Sequence, residues 1–262
     1  MTYEFKFGDP CWVELFTRDT DRAIDFYGQL FGWTAEANPD FGGYITFFKD
    51  GKSVAGGMRA PDENAGPQQW LVYLAGNADT VVERARSRGG QVVVDPMDVG
   101  DLGRMAVLGD AAGAGVGVWQ AAVHKGFEAI GIASGGTWTD HAGRPSWFEL
   151  HTPEYRKELE FYTEVFDWAP FTVADTPEFR YTTIHGTTPM LGGVMDNSAD
   201  LPAGSTGSWT VYFGADDVDA AVKSVVALGG SVESEPQNTP YGRLAAVVDP
   251  NGVRFSIAGN NS

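Results

Sequence analysis

The sequence contains few of the residues on which common types of site chemistry depend. It has one cysteine, Cys11, and four histidines among 262 residues. A single cysteine excludes an internal disulfide and fits the reducing cytoplasm, where we expect the protein to be located. Basic residues are scarce as well, 18 against 35 acidic ones, which leaves a formal net charge of −17. Because this charge repels phosphate backbones and anionic lipids, we expect neither nucleic acid nor a membrane as a partner.

Other familiar signals are also missing from the chain. No apolar run approaches the ~20 residues of a membrane-spanning helix. The first residues lack a basic segment followed by an apolar core, so no secretory signal is expected. We find no Ser-His-Asp set, no phosphate-binding glycine loop and no dinucleotide fingerprint. These absences argue against membrane proteins, hydrolases of the triad type and nucleotide-dependent enzymes.

The sequence does contain a long internal repeat. Pro10-Cys-Trp-Val-Glu-Leu-Phe-Thr17 returns as Pro145-Ser-Trp-Phe-Glu-Leu-His-Thr152, an offset of 135 residues (145 − 10). The same offset maps the Phe-Tyr pair at 26–27 onto 161–162. A fixed period of this length predicts a tandem duplication of one structural plan. The copies differ where the first strand ends, which predicts that the two halves have diverged in function.

Each half reads as two strand-helix units followed by further strands. Alternating apolar residues predict the strands, and capping residues with helical spacing predict the helices. The fold class is therefore α+β, with four β-α-β-β-β modules, curved mixed sheets that form cups, and helices outside. We predict a first domain over 1–122, a linker over 123–144 that contains a strand near 127–133, and a second domain over 145–262. The predicted helices cover about 21–30, 79–87, 154–165 and 217–228.

These motifs resemble the vicinal oxygen chelate superfamily, which includes glyoxalase I, bleomycin-resistance proteins and extradiol dioxygenases. The resemblance rests on the strand before a Phe-Tyr helix that ends in Phe-Gly-Trp33, the Val-Ala-Gly-Gly-Met58 hairpin and the Asp249-Pro-Asn-Gly turn. It covers almost the whole chain and is strongest for two-domain, actinobacterial-type members. The resemblance implies two tandem glyoxalase-like domains whose eight strands each close into a cup. Sequential and crossed pairing of the modules both remain open.

Metal-dependent members of this superfamily bind a divalent ion through His and Glu on four cup strands. The matching positions here lack such donors, so the chain is expected to have no metal and no other cofactor. One alternative is a set made of His151, His185 and Glu149. The positions that match the ligands are Trp12, Trp70, the region of Gly56-Gly57 and Gly117 in the first half, and Trp147, Trp209, the region of Gly192-Gly193 and Ser256 in the second.

If the strands face the cups as the ligand positions do in this superfamily, alternation predicts which side chains line the cups. Large flat aromatic walls with few polar groups suit a planar aromatic ligand, although the same side chains would also fill a cup that has lost its metal. We also expect Val72 and Leu74 on one strand and Val211 on the matching strand of the second half to point inward. The candidate ligand-binding residues are Trp12, Glu14, Phe16, Trp70, Trp119, Trp147, Glu149, His151, Trp209 and Phe213.

Glu14 and Glu149 need partners, because a carboxylate on an apolar face is otherwise costly. Arg104 and Arg243 are candidates for structural ion pairs with them. In an enzyme, the two glutamates are the candidate catalytic bases. The first hypothesis for function is a binding protein for planar aromatic antibiotics or polyketides, acting in sequestration, self-resistance or as accessory to a partner oxygenase. A metal-independent isomerase, cyclase or cofactor-free oxygenase and a metal-dependent glyoxalase or dioxygenase are the alternatives.

Overall fold

The computed structural model describes residues 3–60, 66–134, 136–186, 190–201 and 205–262. Four helices lie within one or two residues of the predicted bounds. The Asp19 side chain caps the first helix by accepting a hydrogen bond from the Arg22 N–H, and Gly32, at φ 69°, ends it in a left-handed conformation. The helices are α1 (Thr20–Phe31), α2 (Ala78–Ser87), α3 (Tyr155–Phe166) and α4 (Val218–Ala227).

The strands form two sheets of eight and one short hairpin between them. In the first half they are β1 (Pro10–Thr17), β2 (Thr34–Asn38), β3 (Tyr44–Lys49), β4 (Lys52–Arg59), β5 (Gln69–Ala75), β6 (Gln91–Val99), β7 (Gly103–Gly109) and β8 (Gly115–Ala121). The hairpin consists of β9 (Ile132–Ser134) and β10 (Thr137–Thr139). In the second half they are β11 (Pro145–Thr152), β12 (Phe171–Asp175), β13 (Arg180–Thr183), β14 (Gly192–Asp196), β15 (Ser208–Gly214), β16 (Ser231–Thr239), β17 (Gly242–Val248) and β18 (Arg254–Gly259).

The order of the strands shows how the modules pair. The first sheet runs β2-β3-β4-β1-β5-β8-β7-β6, and the second repeats this order as β12-β13-β14-β11-β15-β18-β17-β16. Each sheet therefore joins two modules that are consecutive in the chain, which decides the open question in favour of sequential pairing. The predicted α+β class with two tandem glyoxalase-like domains is confirmed. No helix among the described residues is long and apolar enough to cross a membrane.

The two sheets face each other with their outer, helix-bearing sides, near β5 and β15. Trp33 and Trp168, which the sequence predicts as packing residues, are buried there, at 5% and 3% exposure. Their indole N–H groups donate across the junction, Trp33 to the Gly143 carbonyl oxygen at 2.6 Å and Trp168 to that of Gly8 at 2.9 Å. The concave side of each sheet is thus left to form a cup.

A reciprocal pair of hydrogen bonds joins the halves. The hydroxyl group of Tyr27 on α1 donates to Asp249 at 3.1 Å, and that of Tyr162 on α3 donates to Asp110 at 2.9 Å. Each tyrosine belongs to one half and its aspartate to the other. All four side chains are buried, so each pair satisfies polar groups that water does not reach.

Candidate functional site in the second cup

A cavity of about 880 Å³ occupies the cup of the second half. This volume is in the range of pockets that bind small organic molecules. Its walls are mostly aromatic and aliphatic, and Glu149 is the one charged residue among the described lining residues. The lining comprises Ala133, Ser134, Gly136, Trp138, Trp147, Glu149, Phe171, Val173, Phe179, Tyr181, Thr183, Met190, Met195, Tyr212, Thr239, Pro240, Tyr241 and Leu244.

Glu149 lies on β11 at the inner end of this cavity and is 7% exposed. Its Oε2 accepts hydrogen bonds from the hydroxyl of Tyr181 at 2.6 Å and, at 3.3 Å, from the indole N–H of Trp147, which also donates to the Tyr181 oxygen at 2.9 Å. Its Oε1 accepts from the hydroxyl of Tyr212 at 2.8 Å and lies 3.0 Å from Nε2 of His151. Four donors thus surround a carboxylate that has about four acceptor positions.

The ionisation of Glu149 and His151 is coupled. Burial disfavours charge on Glu149, but the hydrogen bond and the positive charge of His151, together with the two tyrosine hydroxyls, outweigh burial and lower its pKa. Burial likewise opposes charge on His151, yet Glu149 and Asn197 outweigh it and raise the pKa of the imidazole. The Asn197 Oδ1 lies 3.0 Å from Nδ1, so both ring nitrogens of His151 face acceptors. This arrangement favours a carboxylate paired with an imidazolium.

The equivalent glutamate of the first cup has no cation beside it among the residues that the structure describes. Glu14 on β1 accepts from the hydroxyl of Tyr73 at 2.8 Å and also from Tyr44. Phe16 stands where the second half has His151, so no positive charge compensates burial. Burial therefore raises the pKa of Glu14 despite the two hydroxyl groups. The equivalent glutamates of the two halves thus have opposite pKa shifts.

The linker closes the first cup. The imidazole of His124 packs against Trp12 at 4.5 Å and against Trp119 at 5.6 Å between ring centroids, and Phe127 packs against Trp12 at 5.3 Å. The indole N–H of Trp119 donates to the carbonyl oxygen of His124 at 2.9 Å. Trp12 and Trp119 lie on the cup face, as predicted, but aromatic side chains of this protein cover them. Burial also lowers the pKa of His124, which favours the neutral ring.

The same linker forms one wall of the second cavity instead of filling it. The hairpin β9–β10 places Ala133 and Trp138 in the lining. The backbone N–H of Trp138 donates to Asn260 Oδ1 at 2.8 Å, and its indole N–H donates to the Tyr241 carbonyl oxygen at 2.8 Å. These bonds fix the hairpin to the end of the second sheet. The sequence predicted one strand near 127–133, but the two strands of the hairpin lie later in the chain. Phe127 instead donates its backbone N–H to the carbonyl oxygen of Cys11 on β1 at 2.9 Å.

The predicted positions of Trp70, Trp209 and Phe213 in the cups are wrong. In the antiparallel ladder Leu15 pairs with Trp70 and Trp12 pairs with Tyr73, so Tyr73 shares the cup face while Trp70 lies on the helix face. The second half repeats this register, with Tyr212 opposite Trp147. Val72, Leu74 and Val211 are on the helix face for the same reason. The indoles of Trp70 and Trp209 donate to the hydroxyls of Tyr27 and Tyr162, and Phe213 packs 5.1 Å from Trp70 in the domain junction.

The arginines suggested as partners of the glutamates bind elsewhere. Arg104 forms ion pairs with Asp79 and Asp98, and Arg243 forms one with Asp219. These pairs connect β7 to α2 and β17 to α4, on the outer side of the sheets. Tyrosine hydroxyl groups bind these carboxylates instead of the candidate arginines. A phenol satisfies a buried carboxylate without adding a second charge.

The alternative metal set is not assembled. Nε2 of His185 lies 3.3 Å from Asp9, and its Nδ1 accepts from the N–H of Ala169, so this histidine is engaged at the domain junction. Within the described ranges, no three His, Cys, Asp or Glu side chains converge as metal ligands do. His151 and Glu149 do meet, but as a pair.

The cup residues themselves do not fit the metal that the fold family implies. Gly56 and Gly193 pair with Glu14 on β1 and with Glu149 on β11, at the level where the ligands are expected. A Cβ atom at Gly56 would collide with the Tyr44 hydroxyl, and one at Gly193 with the Tyr181 hydroxyl. Glycine here makes room for phenols. Indole has no free lone pair, and a phenol that donates to a carboxylate is a poor ligand, so we derive no reaction step through a metal.

The fold, the duplicated module and the paired cups define a class of proteins, and comparison with known proteins identifies the superfamily. The model of the Glyoxalase/Bleomycin resistance protein/Dioxygenase superfamily matches residues 11–118 and 144–257. The chain belongs to this superfamily, as the resemblance predicted. It is 39% identical to the anthracycline biosynthesis protein DauV of Streptomyces sp. (strain C5), and 38% identical to the anthracycline biosynthesis protein DnrV of Streptomyces peucetius. Both alignments cover 97% of this chain and 94% of the relative.

Solved structures share the fold at low sequence identity. The Mn(II)-bound glyoxalase from Novosphingobium aromaticivorans matches with a TM-score of 0.65 at 15% identity, over 98% of this chain and 83% of that one. The 2,3-dioxygenase LapB from Pseudomonas sp. KL28 matches with a TM-score of 0.64 at 12% identity, over 99% and 94% of the two chains. At such identity the likeness extends to the fold and not to the chemistry of the site.

Sequence reasoning placed Trp147 and Glu149 in the second cup and missed most of their neighbours. The missed residues are aromatic side chains from β10, β12, β13 and the residue before it, β15, and the loop between β16 and β17. Tyr212 and Tyr73 carried one usable signal, since each is a polar aromatic residue at the same place in a central strand of its half. The main missed residues are Trp138, Phe171, Phe179, Tyr181, Tyr212 and Tyr241.

Proposed function

We propose that the second cup binds a planar, largely apolar small molecule of the aromatic polyketide type, and that the protein serves anthracycline-like biosynthesis as a metal-independent binding protein. The observation that carries this proposal is the cavity of about 880 Å³ with aromatic walls and a single buried polar cluster. Aromatic walls bind flat ring systems through burial and ring stacking. The relatives DauV and DnrV are anthracycline biosynthesis proteins, which supports this ligand class.

The protonation of Glu149 favours binding over proton abstraction. A general base works best when its pKa lies near the working pH, and burial commonly supplies that by raising it. Here His151 and the two tyrosines lower the pKa of Glu149 and occupy both its oxygens. The carboxylate is therefore a weak base with its acceptor positions in use. Chemical change of the ligand is then the task of a separate enzyme, such as a partner oxygenase.

Fluorescence titration tests the proposal, because Trp138 and Trp147 line the cavity. Anthraquinone-type, flavin-type and phenazine-type compounds are titrated into the protein. We expect the anthraquinone type to quench tryptophan emission at micromolar concentration, with one site per chain and no turnover of the ligand. Trp147→Ala is expected to weaken binding by about 1–3 kcal/mol through lost stacking surface.

Trp12→Ala in the first cup is the matched control, because linker residues already cover that indole. This variant is expected to lower stability and to leave affinity unchanged. The proposal fails if no compound quenches the emission, or if Trp12→Ala abolishes binding while Trp147→Ala does not. Turnover of the ligand by the purified protein would favour the enzyme alternative instead.

A further inference from the structure

We infer that the ligand presents neutral hydrogen-bond donors, that is hydroxyl groups, to the inner end of the second cavity. This inference rests on the proposed function and specifies the chemistry of the ligand. It follows from counting which protein groups at that end already donate and which still accept. A ligand bonds well in a buried site only to groups that are still free to bond.

The hydroxyl hydrogens of the two inner tyrosines are both engaged in hydrogen bonds. Tyr181 donates its hydroxyl hydrogen to Glu149 Oε2 at 2.6 Å, and Tyr212 donates to Oε1 at 2.8 Å. Each phenol oxygen also accepts one hydrogen bond. The Tyr181 oxygen accepts from the indole N–H of Trp147, and the Tyr212 oxygen accepts from Ser256. A hydroxyl oxygen has two acceptor positions, so each phenol keeps one of them. Neither has a hydrogen left to donate.

The other side-chain donors near the cavity are engaged in the same way. The single hydrogen of the Thr183 hydroxyl is shared between the carbonyl oxygens of Phe171 at 3.3 Å and His185 at 3.1 Å, and the Thr239 hydroxyl donates to the carbonyl oxygen of Gly242 at 2.8 Å. The indole of Trp138 donates to a backbone carbonyl. Ser134 and Tyr241 also line the cavity, but both are exposed residues at its rim. Among the described lining residues, the inner end therefore offers acceptors.

The charge of the cluster selects between two kinds of donor. An ammonium group would require a carboxylate with no other cation beside it. Glu149 is already paired with His151 at 3.0 Å, and no other described lining residue is charged. The pair is neutral as a whole, so an ammonium would lose its hydration without gaining an unpaired anion. A neutral hydroxyl loses less on burial and still satisfies the phenol oxygens.

A series of three probes tests this directly on the unmodified protein. The probes are hydroxymethyl-anthraquinone, its methyl ether and the corresponding aminomethyl compound, all substituted at the same ring carbon. We expect the alcohol to bind about three- to tenfold more tightly than the ether and the ammonium compound. This ratio of affinities corresponds to the free energy of one neutral hydrogen bond. Equal affinity of alcohol and ether overturns the inference but leaves the proposed function intact. Absence of binding by all three overturns both, and tightest binding by the ammonium compound overturns the assignment of a neutral donor.

Glu149→Gln provides a second test, in which the preference for the alcohol is expected to fall. The amide of glutamine donates to one of the two phenol oxygens, which frees that tyrosine hydroxyl to donate into the cavity. The preference for the alcohol over the ether is therefore expected to fall to about twofold or less. Glu14→Gln in the covered first cup is the matched control and is expected to keep the preference of the parent. A preference that persists in Glu149→Gln would contradict the donor count.

Discussion

The carboxyl group of Glu158 makes the stability of the domain junction dependent on pH. Glu158 on α3 is fully buried beside Asp110, and the Ala112 N–H donates to it at 2.5 Å. Burial and the neighbouring negative charge of Asp110 raise the pKa of Glu158 from 4.5 to about 9. Burial raises the pKa of Asp110 as well. The equivalent position in the first half is Ala23, so the second carboxyl is peculiar to this side of the junction.

The sign of the effect follows from the raised pKa. The folded protein retains a proton on Glu158 that the unfolded chain releases above pH 4.5. The stability that Glu158 contributes is therefore greatest below that pH and decreases up to its folded pKa of about 9. Each pH unit in this window costs about 1.4 kcal/mol, which amounts to about 3 kcal/mol at pH 7.

Glu158→Gln removes this proton and keeps the shape of the side chain, with an amide that donates to Asp110. We expect urea unfolding to give nearly equal stabilities for variant and parent near pH 5. The advantage of the variant then grows with pH and reaches about 3 kcal/mol at pH 7. Glu160→Gln, on the exposed side of the same helix, is the control and should follow the parent. Parallel stability curves for Glu158→Gln and the parent from pH 5 to pH 8 would refute the reasoning.

Three further perturbations have definite expected outcomes. His151→Phe leaves Glu149 as a buried anion without its cation, so we expect a loss of about 3–5 kcal/mol in urea unfolding at pH 7. That loss should shrink in acid, as Glu149 is protonated, and in alkali, as His151 loses its proton; a loss independent of pH would contradict the pairing. Tyr27→Phe removes the hydroxyl between Trp70 and Asp249 and should cost about 1–3 kcal/mol, and an unchanged unfolding midpoint would show that water replaces it. After dialysis against zinc, iron and manganese, elemental analysis should find no stoichiometric ion, and one tightly held ion per chain would overturn the donor argument.

The internal repeat made most of the fold predictable. Capping residues and helical spacing placed the four helices closely, because a helix signal depends on near neighbours in the chain. The offset between the copies then predicted equal architecture in both halves. Sequential pairing of modules was not predictable, since it depends on contacts between β1 and β5 that no local pattern encodes. The hairpin β9–β10 was misplaced because its two strands have three residues each.

The prediction of which side chains on β5 and β15 point into the cups was wrong for a physical reason. A central strand buried on both sides is apolar at every position, so alternation does not tell which face is the cup. Leu71 and Trp70 are equally buried, at 3% exposure each, although they point to opposite faces. On β1 the facing taken from the superfamily's ligand positions was right, with Trp12 and Glu14 on the cup face. A one-residue error in facing therefore moved Trp70 into the cup and left Tyr73 out of it.

The exchanged hydrogen bonds at the junction also constrain how this duplicated protein can evolve. Tyr27 in the first half depends on Asp249 in the second, and Tyr162 depends on Asp110 in return. If either half were expressed alone, its tyrosine hydroxyl and its aspartate would lack their hydrogen-bond partners, which lie in the other half. Recombination that exchanges one half for that of a distant relative is expected to be tolerated only when the incoming half carries its own tyrosine and its own aspartate at these positions. The junction therefore favours inheritance of the two copies as one unit. The two cups are not under this constraint, so one can diverge to bind a ligand and the other can keep only a structural role.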